Sequence, residues 1–209
     1  MTPERSDRIK EVLSKRQANI ALVLENVHDH HNIAAVMRTC DAVGIQDIYV
    51  LNSLIPKHDY FGFQSSRSAN RWVTIHQFDN AVECFLELRK KYDLIYVTHL
   101  GESSISVYDI NFTQNIALVF GNEINGVSEE AIRLSDGNFI IPQVGMIQSL
   151  NISVACAVTI YEAYRQKNIA GHYKENHIPL PNEQELKESW STKEKAAIRK
   201  IAYKNFKKL

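Results

Sequence analysis

The amino-acid sequence predicts an α/β fold built around a parallel β-sheet. Short apolar runs alternate along the chain with stretches of helical spacing, and two of these runs, residues 20–24 and 116–120, are near copies of each other. Each of the two leads directly into small and polar residues. Repeated strand-to-helix order is typical of parallel sheets, in which ligands bind beyond the carboxyl ends of the strands. We therefore expect the polar segments after the strands to form one site.

The strands and helices follow from the spacing of apolar residues. Continuous apolar runs predict buried strands, and apolar positions three and four residues apart predict helices. The predicted strands are residues 20–24, 48–51, 94–98, 116–120 and 139–142, and the predicted helices are residues 32–43, 78–91, 129–135 and 150–167. The last helix is apolar nearly all round and has small side chains, so we expect it to be buried in the core or against a second subunit.

The two ends of the chain differ from its centre. Ile9, Val12 and Leu13 give the first residues a helical spacing, with several basic side chains alongside, and from residue 190 onward seven basic residues accompany one acidic residue. We therefore predict a basic helical extension over residues 1–18, a central α/β domain over residues 19–172 and a second basic helical extension over residues 173–209.

Composition and charge narrow the class of protein. The chain has 209 residues, of which 44% are hydrophobic and 23% charged, as expected of one globular domain. Cys40, Cys84 and Cys156 are scattered, so we expect them to be reduced, buried thiols. No apolar run suits a signal peptide or a membrane span, which predicts a cytoplasmic protein without a membrane partner. The net charge of zero gives no general support for nucleic-acid binding.

Several familiar sites are missing from the sequence. It contains no Gly-x-Gly-x-x-Gly, no phosphate-binding loop and no Gly-x-Ser-x-Gly, so a Rossmann dehydrogenase, a P-loop NTPase and an α/β-hydrolase are unsupported. Residues 28–31, His-Asp-His-His, suggest a metal site. However, no second group of ligands has a recognised spacing, and we expect no metal.

The first polar segment contains Asn32 and Arg38. Asn32 precedes a helical pattern, where its default role is that of N-cap. The two side chains are about 600° apart around a helix, so they meet only if Asn32 lies just outside the helix and Arg38 reaches back. Alternatively, Arg38 pairs with Asp41, three residues further on, at an exposed face. The sequence leaves both interpretations open.

The second polar segment carries a carboxylate between two glycines. Glu123 lies between Gly121 and Gly126, which permit a close approach of the backbone to a ligand. A carboxylate at this position can hold a cation, orient an amide or accept bonds from N–H groups of the loop. The alternative is a surface turn in which Ser128 caps the next helix.

The third polar segment precedes the long apolar helix. It contains Gly145 and a run of hydroxyl and amide side chains at Ser149, Asn151 and Ser153. Ser149 is predicted to cap the helix, with Asn151 and Ser153 in the first turn.

The order and placement of these segments resemble the three motifs of the SpoU branch of the SPOUT methyltransferases. The matching residues are Asn32, Arg38 and Thr39 in the first motif, Phe120, Gly121, Asn122, Glu123 and Gly126 in the second, and Ile141, Pro142, Gly145, Ser149, Leu150, Asn151, Ser153, Val154 and Ala155 in the third. Residues 24–28 and 170–173 are similar to the TrmH type within that branch. The resemblance covers most of the chain up to about Tyr173.

The resemblance implies a fold, a cofactor and an assembly. Members have a parallel sheet with a deep trefoil knot in its C-terminal part, bind S-adenosyl-L-methionine among the knotted loops and act as homodimers. Residues 19–172 would form the SPOUT methyltransferase domain. Carried over to this chain, the cofactor contacts are Thr98, Leu100, Gly121, Ile141, Gly145 and Leu150.

The resemblance also implies a reaction. The TrmH type methylates the ribose 2′-oxygen of guanosine 18 in tRNA, and Arg38 would then activate that hydroxyl. Either Arg38 takes the proton, which requires the deprotonated form that arginine hardly ever adopts, or, with an RNA phosphate, it fixes and acidifies the hydroxyl. Asn32, Glu123, Ser149 and Asn151 would position Arg38, the ribose and the loops.

The choice of RNA depends on residues outside the three motifs. Basic residues near both ends are expected to contact tRNA phosphates, namely Arg8, Lys15, Arg16, Lys195, Arg199 and Lys200, and the alternative is that they form solvated helix faces. Methylation of ribosomal RNA or of a tRNA wobble nucleotide stays open, as does a non-catalytic RNA-binding relative.

Overall fold

A parallel sheet forms the centre of the structure. The computed structural model describes residues 1–58, 69–101, 103–174 and 180–192. Within them, seven parallel strands lie in the order β3-β2-β1-β6-β4-β7-β5. The strands are β1 Gln17–Glu25, β2 Ile45–Leu51, β3 Thr74–Phe78, β4 Leu94–Thr98, β5 Ile105–Ser106, β6 Ile116–Phe120 and β7 Gly137–Ile140. The predicted α/β class with a parallel sheet is therefore confirmed.

Helices cover both faces of this sheet. They are α1 Pro3–Leu13, α2 His30–Val43, α3 Ala81–Arg89, α4 Glu129–Leu134, α5 Ile152–Ile169 and α6 Glu183–Ser191. On the central strand β1, Ile20, Leu22 and Leu24 belong to a core cluster with residues of α2 and α5. Ala21 and Val23 belong to a second cluster with residues of α3 and α4. Because both faces of β1 are buried, the strand is apolar at successive positions rather than at alternate ones.

The edge strands are the elements that the sequence did not predict. β3 is only partly buried, and its Thr74, His76 and Gln77 lack the apolar run that marks a central strand. β5 has two residues, too few for a pattern. The predicted helix over residues 78–91 begins later because Phe78 ends β3, and the Asn80 side chain accepts a bond from the amide of Glu83 to cap α3.

Two predicted helix caps were wrong. The N-cap of α2 is Asp29, whose Oδ1 accepts the amide of His31 at 2.7 Å, so Asn32 lies inside the first turn. The N-cap of α5 is Asn151, whose Oδ1 accepts the amide of Ser153 at 2.9 Å, so Ser149 precedes the helix. In both segments several short polar side chains stand close together, and each type is a good N-cap. The sequence alone does not show which of these side chains caps the helix.

The described helices at the two chain ends are less basic than the predicted extensions that contain them. α1 has the expected helical structure, but it contains three acidic and three basic side chains and is therefore not a basic helix. The described part of the C-terminal extension contains α6, in which Glu183, Glu185 and Glu188 outnumber Lys187. Ile9 and Leu13 of α1 pack against Trp190 of α6. Residues 193–209, including Lys195, Arg199 and Lys200, lie outside the described residues.

Two general expectations can be compared with the structure directly. Cys40, Cys84 and Cys156 are free and buried, as predicted, and burial raises the pKa of each thiol. Among the described helices, none combines the length and the apolar character that crossing a membrane requires.

Candidate active site at the strand ends

A large cavity lies at the carboxyl ends of the central strands. Its volume is about 860 Å³, and it is bordered by residues that follow β4, β6 and β7 and by the start of α5. The six residues predicted to contact a cofactor all border it: Thr98, Leu100, Gly121, Ile141, Gly145 and Leu150. The structure thus brings together three segments that are far apart in sequence.

The segment after β6 forms a tight loop. A Cβ atom added to Gly121 would lie 1.9 Å from the carbonyl carbon of Gly126, so glycine is required where the two ends of the loop meet. Gly126 has a φ of 67°, in the left-handed region that favours glycine. The Asn122 Oδ1 accepts the amides of Ile124 and Asn125 at 2.9 and 2.8 Å. Asn122 therefore shapes the loop from inside, a role that the sequence interpretation missed.

A buried carboxylate anchors the far end of the same loop. Glu25, at the end of β1, is fully buried. Its Oε2 accepts the amide of Ser128 at 2.9 Å, and its Oε1 accepts the Ser128 hydroxyl at 2.6 Å. The Ser128 Oγ also accepts the amide of Ala131 at 3.1 Å, so the predicted capping of α4 is confirmed. Glu25 was not predicted as a site residue, although an acidic side chain ending an apolar strand was a signal for it.

The three polar segments meet at Asn32. Its Nδ2 donates to Oε1 of Glu123 at 2.5 Å, and its Oδ1 accepts a bond from Nδ2 of Asn151 at 3.3 Å. Asn151 uses its own Oδ1 to accept the amide and the hydroxyl of Ser153. Four of the predicted catalytic residues thus fall into two groups: Asn32, Glu123 and Asn151 form a hydrogen-bonded chain, and Ser149 borders the cavity beside them.

Arg38 stands apart from this chain. It is exposed on α2 and makes no hydrogen bond or ion pair with any part of the protein that the structure describes. It does not contact Asn32. The alternative pairing of Arg38 with Asp41 is wrong, because the Asp41 carboxylate accepts a bond from Nη2 of Arg16 at 2.5 Å. A guanidinium without a carboxylate partner is available to bind an anion from outside the chain.

Exposed apolar side chains border the cavity or lie next in sequence to residues that border it. We call them the apolar rim: Leu100, Ile124, Val144, Met146 and Ile147. Val144 and Met146 are almost fully exposed, at 107% and 98% of the reference area. Exposed apolar side chains at the mouth of a cavity suit the binding of a ligand or of another protein.

The predicted RNA contacts near the N-terminus require one correction. Arg8 and Lys15 are exposed, and both pair with Glu11, at 2.7 and 2.8 Å. Arg16 is fully buried, and besides Asp41 it donates to the carbonyl oxygen of Trp72 at 3.0 Å. It therefore holds α2 against a neighbouring segment and cannot reach a phosphate in this conformation. Charge is visible in a sequence, but burial is not.

The histidine cluster gives no firm metal site. Asp29, His30 and His31 are exposed and place their ligand atoms within 4.8 Å of one another. However, Asp29 already serves as the N-cap of α2, where the positive end of the helix dipole disfavours a cation. The expectation that no metal takes part stays a prediction.

Comparisons with known proteins show to which family the chain is similar. Residues 19–161 match the SpoU rRNA Methylase family. The tRNA (guanosine(18)-2'-O)-methyltransferase of Thermus thermophilus is 38% identical over 194 residues, which are 92% of this chain and 98% of the relative. The enzyme of the same name from Escherichia coli is 35% identical over 182 residues, 87% of this chain and 78% of the relative.

Solved structures of RNA-modifying enzymes have a similar fold. The Aquifex aeolicus TrmH/SpoU tRNA modifying enzyme superposes with a TM-score of 0.79 at 34% identity, covering 90% of this chain and 94% of that one. An AdoMet-bound rRNA methyltransferase from Sinorhizobium meliloti superposes with a TM-score of 0.62 at 26% identity, covering 72% of this chain and 57% of that one.

Proposed function

The chain belongs to the SpoU methylase family, and from that premise we propose that it methylates the ribose 2′-hydroxyl of guanosine 18 in tRNA, with S-adenosyl-L-methionine as donor. Relatives that carry this name cover most of the chain. The observation that carries the proposal is that the second and third polar segments border one cavity, while Asn32 of the first segment is bonded to Glu123 and Asn151 at its edge.

The residues present fit the proposed cofactor. The cavity volume of about 860 Å³ is within the range of small-molecule and cofactor sites. Gly121 and Gly126 present backbone without side chains to the cavity, the apolar rim suits an adenine ring, and the Glu123 carboxylate suits a positively charged group. When bound there, S-adenosyl-L-methionine supplies an electrophilic methyl group. Thr98, Gly121, Ile141 and Leu150 would hold it.

Side chains of this protein would activate the ribose hydroxyl. A ribose hydroxyl is a poor nucleophile until its proton leaves, so a group beside it has to activate it. Arg38 has the free guanidinium to fix an RNA phosphate and stabilise charge on the 2′-oxygen, and only its deprotonated form could take the proton instead. Asn32 connects the three loops through its two amide atoms, and this fixed arrangement lowers the entropic cost of aligning donor and acceptor.

We also propose that the protein acts as a homodimer. The apolar rim is exposed in a single copy, and on α5 Val154 and Tyr161 are 47% and 52% exposed although the opposite face of that helix is in the core. Covering this surface with a second copy would remove apolar area from water and enclose the cavity. It would also bury the outer face of α5, a helix that the sequence predicts to lie in the core or against a second subunit.

The trefoil knot implied by the resemblance is a further part of the proposal. β7 pairs with β4 on one side and with β5 on the other. The connection from β4 to β5 therefore has to pass the end of β7, where residues 141–151 leave the sheet. Such a crossing supports a threaded chain, and a chain trace from an experimental structure would test it.

We also propose a cytoplasmic location, because the relatives reported above are named as tRNA methyltransferases.

Nucleoside mass spectrometry tests the proposed reaction. Unmodified tRNA is incubated with the protein and isotope-labelled S-adenosyl-L-methionine, and the label should be found on the ribose of guanosine 18. A tRNA with adenosine at position 18 is the matched control and should stay unlabelled. Label elsewhere would favour the alternative of another nucleotide or of ribosomal RNA, the substrate named for a relative from Xanthomonas axonopodis. No label on any RNA would favour the non-catalytic alternative.

A further inference from the structure

A second cavity lies between the two terminal helices. Its volume is about 420 Å³, and it opens where α1 and α6 meet the carboxyl end of α2. It is bordered by Arg5, Arg8, Ile9, Val12, Asp41, Arg71, Trp72 and Trp190. None of these residues takes part in the proposed methyl transfer, so this terminal cavity calls for its own explanation.

The charges at the terminal cavity do not cancel. The buried Arg16 pairs with Asp41, and the exposed Arg8 pairs with Glu11. Arg5 donates to the carbonyl oxygen of Trp190 at 3.3 Å, and it has no acidic partner among the described residues. Arg71 likewise has none, and its guanidinium lies 5.1 Å from the ring centre of Trp72. Two unpaired positive charges therefore border the opening.

The walls of the terminal cavity are apolar and aromatic. Trp72 and Trp190 pack edge to face with their ring centres 5.3 Å apart. Trp190 is buried beneath the guanidinium of Arg16, whereas Trp72 is only partly buried. Ile9 and Val12, on one face of α1, complete the wall. Arginines beside an aromatic surface are the combination with which proteins hold single-stranded nucleic acid, because the base stacks and the phosphate binds the guanidinium.

We propose that the terminal cavity binds one nucleotide of the RNA substrate, with the base against Trp72 and a phosphate at Arg5 and Arg71. This inference rests on the proposed function, since it assigns a second contact to the same RNA. The volume of the terminal cavity is in the range of small-ligand sites. The chain's own C-terminal segment suits it poorly, because residues 193–209 carry seven basic side chains and one acidic one.

The position of the terminal cavity fits a shared RNA. Asn32 lies near the start of α2 and Asp41 near its end, nine residues on, or about 14 Å along the helix axis. Arg38 lies one turn before Asp41 on the same side. One RNA can therefore reach the active-site cavity and the terminal cavity while passing Arg38.

Tryptophan fluorescence reports on this cavity directly. The chain has two tryptophans, and both border the terminal cavity. Titration of the wild-type protein with unmodified tRNA should quench or shift the emission in step with binding measured by filter retention. S-adenosyl-L-methionine alone should not, because no tryptophan borders the active-site cavity. Full binding of tRNA with unchanged emission would overturn the proposal without the use of any variant.

A pair of charge-matched variants gives the second test. The double variant Arg5→Ala/Arg71→Ala should raise the KM for tRNA about tenfold and reduce the salt dependence of binding by roughly one unit of slope for each phosphate that is no longer bound. Its kcat at saturating tRNA and its KM for S-adenosyl-L-methionine should be unchanged. The control Lys10→Ala/Lys90→Ala removes two exposed lysines elsewhere and should change the KM for tRNA much less.

The outcomes separate this inference from the proposed function. If the arginine variant has the same KM and salt slope as the lysine control, the terminal cavity does not bind RNA, although methylation of guanosine 18 would still stand. If the wild-type protein methylates no tRNA, the proposed function fails, whereas the fluorescence titration still decides whether the cavity binds RNA. Melting temperatures of both variants show whether each is folded.

Discussion

At the scale of single residues, burial rather than charge decides which polar side chains build this protein. Arg16 and Glu25 are both fully buried, and each holds a segment through two or more hydrogen bonds. Arg38 is exposed and holds nothing within the described chain. The sequence identifies all three as charged but gives no means of separating anchors from ligand-binding groups. Only the family resemblance predicted Arg38 as a residue that binds RNA. Arg16 was also predicted to contact RNA, but it is buried and anchors the fold instead.

Replacing Arg38 tests its proposed role. We expect Arg38→Ala to abolish nearly all methyl transfer while cofactor binding, measured by calorimetry, stays close to that of the wild type, because Arg38 does not border the active-site cavity. The melting temperature should hardly change, since the side chain is exposed and unpaired within the described chain. Turnover that survives the substitution would remove Arg38 from the mechanism.

Glu25 is expected to act through the loop that it anchors. In Glu25→Gln, an amide group replaces one of the two oxygens that accept bonds from Ser128, which leaves a buried group unsatisfied at a cost of about 1–3 kcal/mol. The loop carrying Gly121 and Glu123 should loosen, and the KM for S-adenosyl-L-methionine should rise. Glu162→Gln is the control, because Glu162 is also buried but pairs with Arg165 on α5. A similar rise in both variants would reduce Glu25 to a purely structural residue.

Lys167 gives the stability a pH dependence. Its side chain is buried, its Nζ donates to Oδ1 of Asn19 at 2.6 Å, and burial lowers its pKa to about 7. An unfolded lysine keeps its proton up to about pH 10.4. Between these values the unfolded chain binds more protons, so Lys167 makes the free energy of unfolding increase with pH.

Substituting Lys167 isolates that contribution. Relative to the wild type, Lys167→Met should gain more stability at about pH 7 than at about pH 9, because only the wild type has to bury an ammonium group near neutral pH. Chemical denaturation of both proteins at the two pH values measures the difference. An equal change at both values would show that Lys167 has an ordinary pKa in the folded protein.

At the scale of secondary structure, central elements could be predicted from the sequence and edges could not. β4 and β6 have the predicted bounds, residues 94–98 and 116–120, because strands buried on both faces are apolar throughout. β3 lies at the edge and lacks that pattern. The starts of α2 and α5 were displaced because neighbouring side chains compete to cap them. The spacing of apolar residues also does not show that Thr98, Gly121 and Leu150 border the same cavity.

The loop after β6 provides the test at this scale. Gly121→Ala would place a methyl group within 2.2 Å of three backbone atoms at Gly126 and Val127, so the loop has to open. We expect loss of cofactor binding and a lower melting temperature. Gly145→Ala is the comparison, since a Cβ there meets nothing within 4 Å, and it should keep the wild-type melting temperature. Equal melting temperatures for the two variants would show that the loop adapts at little cost.

At the scale of the whole molecule, the exposed apolar surface predicts association. Val154→Asp places a charge on the exposed face of α5 and should convert the proposed dimer to a monomer with weaker cofactor binding, because burying an unpaired charge is costly. Light scattering after size-exclusion chromatography gives the molar mass. Val82→Asp is the control, as Val82 is similarly exposed on α3, at 42% against 47%. A wild-type protein that elutes as a monomer would contradict the proposal.

The pairing of β1 with β6 has a consequence for synthesis on the ribosome. Ile20 lies beside Ile116, so one edge of the central strand has no neighbour until more than half of the polypeptide has been translated. Contacts of such large sequence separation form slowly, and an open apolar edge invites aggregation. We expect this edge to stay open until residue 120 has emerged, and the cavity, which residues 139–155 also border, to form later still.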